Sequence, residues 1–181
     1  MAAKNTEPAQ EIITLDNVSK VYESGSSPIY ALRNVSLALR EGKFLAVMGE
    51  GKQGKSTLLR CISGEVQPTS GSVYRRGAPE EPPTVAWLAG PVNTECVNGA
   101  LAAGPQVLLT DTASERDGAA LREAVDRGGV AVVMTTAKPD AAAWADAVVF
   151  LRGGAVVDMI AGADPARISG CLERAARPDP S

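Results

Sequence analysis

The segment that most restricts how this chain can fold runs Phe44-Leu-Ala-Val-Met-Gly-Glu-Gly-Lys-Gln-Gly-Lys-Ser-Thr-Leu-Leu-Arg60. An apolar run ends at Gly49, and Gly54-Lys55-Ser56-Thr57 opens a segment of helical character. Gly49 to Ser56 fits G-x-x-x-x-G-K-[ST], in the strand–loop–helix setting that this pattern needs. Glycines there let backbone N–H groups turn inward, and a helix N-terminus presents free donors to an anion. The spacing predicts a phosphate-binding loop, in which Lys55 reaches the outer phosphates and the Ser56 hydroxyl holds Mg²⁺.

Composition narrows the surroundings of that loop. A chain of 181 residues suits one domain with a real core, and 4% aromatic residues mean that Val, Leu, Ala and Ile must build it. Acids and bases are intermixed and sum to a net charge of −3, which offers no footprint for nucleic acid. No stretch approaches the ~18 apolar residues of a membrane span, and no signal-peptide pattern opens the chain. Cys61, Cys96 and Cys171 are odd in number and widely spaced, so they read as reduced, cytosolic thiols rather than a bridge or a zinc site. Histidine is absent from the sequence, which removes the commonest general base.

Along the chain, residues 1–11 read as a polar tail, residues 12–176 as one domain and residues 177–181 as a second tail. Partly alternating apolar residues predict strands over 12–22 and 29–39, separated by turn residues 23–28. The helix over 55–62 is followed by a short strand over 71–75 and another over 84–88. Residues 89–94 read as loop and 98–103 as a short helix. The run Gln106-Val-Leu-Leu-Thr-Asp111 ends in an acid, and helix 118–127, strand 130–136 and helix 140–145 follow. Strands over 147–151 and 155–160 flank a Gly153-Gly154 turn, and residues 164–176 form a final helix with an Asp cap. Strands alternating with helices predict an α/β fold with a mostly parallel sheet, preceded by antiparallel strands.

The order of these motifs resembles the ATP-binding cassette (ABC) ATPases, most of all the small bacterial subfamily serving lipoprotein-release, macrolide-export and cell-division transport systems. Carrying the likeness are residues 13–22, Tyr30-Ala-Leu-Arg-Asn-Val-Ser-Leu37, 49–60, Pro68-Thr-Ser-Gly-Ser72, 100–109 and 132–158. The resemblance implies a P-loop NTPase fold with an N-terminal antiparallel β subdomain, and ATP and Mg²⁺ as cofactors. It implies that Tyr22 stacks on adenine and that Gly49, Glu50, Gly51, Lys52, Gln53, Gly54, Lys55, Ser56 and Thr57 wrap the phosphates. Ser56 and Asp111 would serve the metal, Asp111 through its water shell. Glu50 and Lys52 stand where such loops usually carry small or neutral residues. A carboxylate there repels a triphosphate by roughly 1 kcal/mol or more, and Lys52 offsets it.

The chain also departs from the family. The catalytic glutamate that follows the strand-end Asp is Thr112 here, and the switch histidine is Ala137, within Thr136-Ala-Lys-Pro139. The glutamine expected after the 84–88 strand is replaced by Leu88-Ala-Gly-Pro91, and no Ser-Gly-Gly-Gln signature occurs. A subdomain of three or more helices of ~10–14 residues needs roughly 40 residues with its turns, more than residues 75–106 provide. Asp117 is the best match to the acid of the loop that crosses the family's dimer interface, and Glu115 and Asp117 read as surface carboxylates rather than replacement bases. The resemblance therefore implies a protein that binds ATP–Mg²⁺ and hydrolyses it poorly or not at all, with no catalytic residues assigned. Two other readings stay open: an active ATPase subunit completed by a partner chain, and an interaction remnant that binds no nucleotide. Expected partners are a transporter membrane subunit or a second ABC ATPase chain, weakly coupled. The expected location is cytoplasmic, at the inner face of the cell membrane.

Overall fold

The computed structural model describes residues 10–25, 27–52, 54–77, 82–90, 92–111, 113–162 and 164–177, apart from the Glu115 side chain. It begins with a long antiparallel hairpin, β1 (Glu11–Ser24) and β2 (Ser27–Arg40). Leu15 faces Leu37 and Val18 faces Val35, and all four are buried on the inner side. The ladder shifts register around Asn17 and Asn34, which among the described residues are the two non-glycine residues with positive φ (49° and 48°). Asparagine tolerates that conformation, and the bulge increases the local twist. The expected turn over 23–28 is tighter than its composition implies, because both strands run almost to its tip.

Behind the hairpin lies a six-stranded sheet in the order β5-β6-β7-β3-β8-β9. Its members are β3 (Phe44–Met48), β5 (Val85–Leu88), β6 (Val107–Thr110), β7 (Ala131–Thr136), β8 (Ala147–Arg152) and β9 (Ala155–Ala161). Neighbours are parallel except for β8 and β9, which form a hairpin across Gly153-Gly154. Every residue of β3, β6 and β7 is buried, as expected of parallel strands covered on both faces.

Alternation along β3 divides the core. Leu45 and Val47 face the hairpin and α1 (Lys55–Ser63), whose Leu58, Leu59 and Ile62 complete that layer. Phe44, Ala46 and Met48 face the opposite layer of α2 (Thr94–Leu101), α3 (Glu115–Gly128), α4 (Pro139–Ala142) and α5 (Pro165–Ala176). β4 (Ser70–Arg75) leaves the main sheet and pairs antiparallel with β1, giving a second sheet ordered β2-β1-β4. The architecture is the expected one: an antiparallel sheet and a mixed, mostly parallel sheet, with helices on its flanks.

Helix starts differ most from expectation. Helix α2 begins at Thr94, inside the predicted 89–94 loop, because the Asn93 side chain accepts a 2.7 Å hydrogen bond from the Cys96 N–H. Helix α3 begins at Glu115 rather than 118, set by a capping box in which the Ser114 N–H donates to Asp117 Oδ2 at 2.6 Å. Between β4 and β6 the described residues hold one strand, β5, and one helix, α2.

Candidate functional site

The site collects at the C-terminal ends of the parallel strands, where ligands of open α/β sheets bind. After β3 the chain turns through Gly49–Gly54 into α1. Gly54 is the N-cap of that helix, in the left-handed conformation with φ 89°, and no side chain caps the helix. The first-turn N–H groups of an uncapped helix have no intrahelical acceptor and suit an anion. A Cβ on Gly54 would lie 2.1 Å from the Ala31 carbonyl oxygen, so only glycine lets the loop close against β2.

Lys55 folds back into this loop. Its Nζ donates to the carbonyl oxygens of Gly49 at 2.6 Å and Gly51 at 2.9 Å, spanning the space that the loop encircles. Burial lowers the Lys55 pKa from its ordinary 10.5, while the charge of Asp111 pulls it upward. Glu50 and Lys52 are exposed. Gln53 lies outside the described residues. Thr57, the next residue of the helix after Ser56, is half-buried.

A second cluster meets the loop from β6 and β7. Ser56 Oγ donates to Asp111 Oδ2 at 2.5 Å, joining the start of α1 to the residue that follows β6. The other oxygen, Oδ1, accepts a hydrogen bond from Thr135 Oγ1 of β7. Among the described residues no group of three or more His, Cys, Asp or Glu converges on one point. The oxygen pair Ser56–Asp111 nonetheless fits Mg²⁺, which takes one or two protein ligands and completes its shell with phosphate and water. Lys55, Ser56 and Asp111, separated in sequence, are thus brought together.

Tyr22 lies near the tip of the β1–β2 hairpin, opposite Ile29, about 36% exposed, with Lys20 Nζ 5.2 Å from the centroid of its ring. It stands farther along the hairpin than Ala31, the point at which β2 touches the loop. Ala137 is exposed just beyond β7, and Thr112 lies outside the described residues. The neighbouring Thr136 hydroxyl donates to the Ala113 carbonyl at 2.8 Å and accepts from the Lys138 N–H at 3.1 Å.

Asp117 is not the surface carboxylate expected. It is 6% exposed and accepts hydrogen bonds from the Ser114 N–H and, at 3.2 Å, from the Val92 N–H. Its carboxylate closes the start of α3 and ties it to the segment before α2. The signal was in the sequence, since Ser114-x-x-Asp117 has the spacing of a capping box. Thr135 was missed as well; its only mark is a hydroxyl at the end of the apolar run Ala131–Met134. A cleft of about 770 Å³ opens at the opposite ends of the strands, lined by Leu39, Phe44, Tyr74, Ala147 and Met159 among others. The loop, Lys55, Ser56 and Asp111 take no part in it.

Residues 32–106 match the ABC transporter family. The chain is 43% identical over 76 residues to the bicarbonate transport ATP-binding protein CmpD of Synechocystis sp., covering 42% of this chain and 27% of that protein. It is 48% identical over 63 residues to the uncharacterized ABC transporter ATP-binding protein MJ0796 of Methanocaldococcus jannaschii, covering 35% and 27%. The chain thus spans about a quarter of the length of these curated relatives. Among solved structures, the dimeric post-hydrolysis ATP-binding cassette MJ0796 bound to ADP and Pi superposes with a TM-score of 0.71 at 21% identity, covering 84% of this chain and 99% of that one. A nucleotide-free ATP-binding cassette from an ABC transporter gives a TM-score of 0.70 at 13% identity, covering 94% and 100%. Residues 32–106 thus resemble the ABC transporter family, and the chain as a whole shares the fold of solved ATP-binding cassettes.

Proposed function

We propose that this chain binds ATP with Mg²⁺ at the Gly49–Thr57 loop and hydrolyses it little or not at all, as a regulatory or vestigial nucleotide-binding subunit. The observation that carries the reading is the convergence of Lys55 with the Ser56–Asp111 pair beside an uncapped helix start. Phosphate oxygens would replace the Gly49 and Gly51 carbonyls as acceptors for the Lys55 ammonium, and the inward N–H groups of the loop would take the remaining charge. Ser56 and Asp111 would hold Mg²⁺, whose charge offsets that of the triphosphate. Tyr22 would offer its ring face to the adenine.

Two positions weigh against hydrolysis. Position 112 carries a hydroxyl and position 137 a methyl where the family places its glutamate and histidine. Loss of a general base alone costs about 10²–10⁴-fold. With one short helix among the described residues between β5 and β6, the surface offered to a membrane subunit is small, so coupling to such a partner, or to a second cassette chain, is weak. The site of action proposed is cytoplasmic, at the inner face of the membrane; among the described residues no helix is long and apolar enough to cross it.

The test is a thermal shift with ATP and MgCl₂ on the native chain and on Lys55→Ala. ATP at ~100 times its Kd should stabilise the native chain by roughly 2.7 kcal/mol, and the variant should show no shift. A folded native chain with no shift at millimolar nucleotide overturns nucleotide binding. Steady phosphate release well above that of Lys55→Ala overturns the claim of poor hydrolysis.

A further inference from the structure

We infer that Thr135 is a positioning residue for the metal-facing carboxylate of Asp111, holding it square to Ser56 so that Mg²⁺ strengthens nucleotide binding. The inference rests on the ATP–Mg²⁺ reading above and names a residue that the loop motif does not include.

Thr135 occupies the penultimate position of β7, fully buried, paired in register with Val47 of β3. It stands two residues after Val133, on the face covered by α1 and the hairpin, where the neighbouring positions are apolar. A hydroxyl in such a place is costly unless it is hydrogen-bonded, and a valine would fill the same volume. The bond it makes points into the site: Oγ1 donates to Asp111 Oδ1 while Ser56 Oγ donates to Asp111 Oδ2. The carboxylate is therefore held at both oxygens, from β7 on one side and from α1 on the other. Rotation about its terminal torsion would break one bond or both. β-Branching restricts χ1, and Thr135 is fully buried in a packed strand whereas Ser56 is exposed, so Thr135 is the stiffer of the two donors.

The same residue also grips the chain beyond Asp111. The Thr135 carbonyl accepts a 2.8 Å bond from the Ala113 N–H, so side chain and backbone of one residue hold both neighbours of position 112. Thr136 differs. Its hydroxyl is engaged with the Ala113 carbonyl and the Lys138 N–H, and reaches neither Asp111 nor Ser56 through any bond described. Of the two adjacent threonines, Thr135 serves the carboxylate and Thr136 shapes the loop. Groups that orient a metal's protein partners commonly matter 10–100-fold to metal affinity, although they never touch the ion.

The experiment measures the Kd for ATP by calorimetry twice, in excess EDTA and in saturating MgCl₂, for the native chain, Thr135→Val, Thr135→Ala and Thr135→Ser. The ratio of the two constants isolates the Mg²⁺ contribution. Val and Ala should reduce that ratio by about tenfold, with the EDTA constant unchanged, and Ser should restore it. Ala and Ser both lack the methyl group and differ only in the hydroxyl, so this pair decides the matter if Thr135→Val fails to fold. An unchanged ratio in the hydroxyl-free variants overturns the inference, as does a loss in Thr135→Ser equal to that in Thr135→Ala. A parallel loss in both constants also overturns it, because that pattern marks general damage to the loop. If the native chain binds no ATP under either condition, the proposed function fails first, an outcome separate from the others.

Discussion

Gly54 and Ala31 meet so closely that the α carbon of the glycine can carry no side chain: a Cβ would lie 2.1 Å from the Ala31 carbonyl oxygen. The contact locks the Gly49–Gly54 loop onto the hairpin, and it combines two costs for any replacement. Gly54→Ala must adopt φ near 89° and also force β2 backward. The expected loss is about 3 kcal/mol, from ~1–2 kcal/mol for the left-handed conformation and the remainder from the clash. Gly51→Ala supplies the comparison, since Gly51 has positive φ (54°) but no neighbour within 4 Å among the described residues. It should lose only about 1 kcal/mol. Urea unfolding of both variants checks the difference; equal losses would mean that the loop does not press on β2.

The Asp117 carboxylate offers a second prediction. It serves the half-buried Ser114 N–H and the buried Val92 N–H together. Asp117→Ala leaves both without that acceptor and should cost about 2–3 kcal/mol, whereas Asp117→Asn keeps one acceptor oxygen and should cost about half as much. Denaturant midpoints at constant m-value are the measure. A loss below ~0.5 kcal/mol for the alanine variant would return Asp117 to the surface role that its sequence position suggests.

Which parts of this arrangement were legible follows from how far each cause lies along the chain. The Phe44–Met48 run, Gly54 and Lys55 are local signals, and strand, loop and helix follow them directly. The mostly parallel sheet is similarly plain, because β6 and β7 carry the apolar runs Val107–Leu109 and Ala131–Met134. Helix starts were harder. Asn93 and Ser114 cap through side-chain hydrogen bonds that apolar periodicity does not register. The Asp111–Thr135 contact was not legible at all, since it depends on β6 and β7 becoming neighbours in the sheet. Long-range pairing places a polar atom, and one-dimensional pattern cannot.

Gly118 tests the packing of α3 on the segment before β8. A Cβ there would fall 2.3 Å from Trp144 Cδ1 and 2.8 Å from Cγ, near the root of the indole and not at a movable tip. The helix itself would favour alanine by about 1 kcal/mol. Displacing the ring should cost ~1–3 kcal/mol, so Gly118→Ala is expected to lose about 1 kcal/mol overall. In a Trp87→Phe background, the emission of Trp144 should also shift to the red as the ring, now 43% exposed, moves outward. An unshifted spectrum with a gain in stability would show that the indole does not rest on Gly118.

Lys55 links the loop's geometry to pH. Burial holds its pKa below 10.5 in the folded chain, with Asp111 opposing the shift, whereas the unfolded chain titrates at the ordinary value. Between those two values the unfolded state binds more protons at this site, so stability must rise with pH across that interval. The gain is complete above 10.5 and is lost as pH falls through the folded-state value. Other lysines and tyrosines titrate in the same range, so the quantity to measure is the difference between the native chain and Lys55→Met. That difference should favour the native chain progressively as pH climbs toward 10.5, then level off. Parallel curves, or a difference of opposite sign, would mean that the ammonium is not desolvated between the Gly49 and Gly51 carbonyls. The cost of keeping a charged lysine in that partly dry seat at neutral pH would then need another account. If the curves separate as expected, the seat is strained toward releasing its charge, and an entering polyanion relieves that strain by restoring a counter-charge to Lys55.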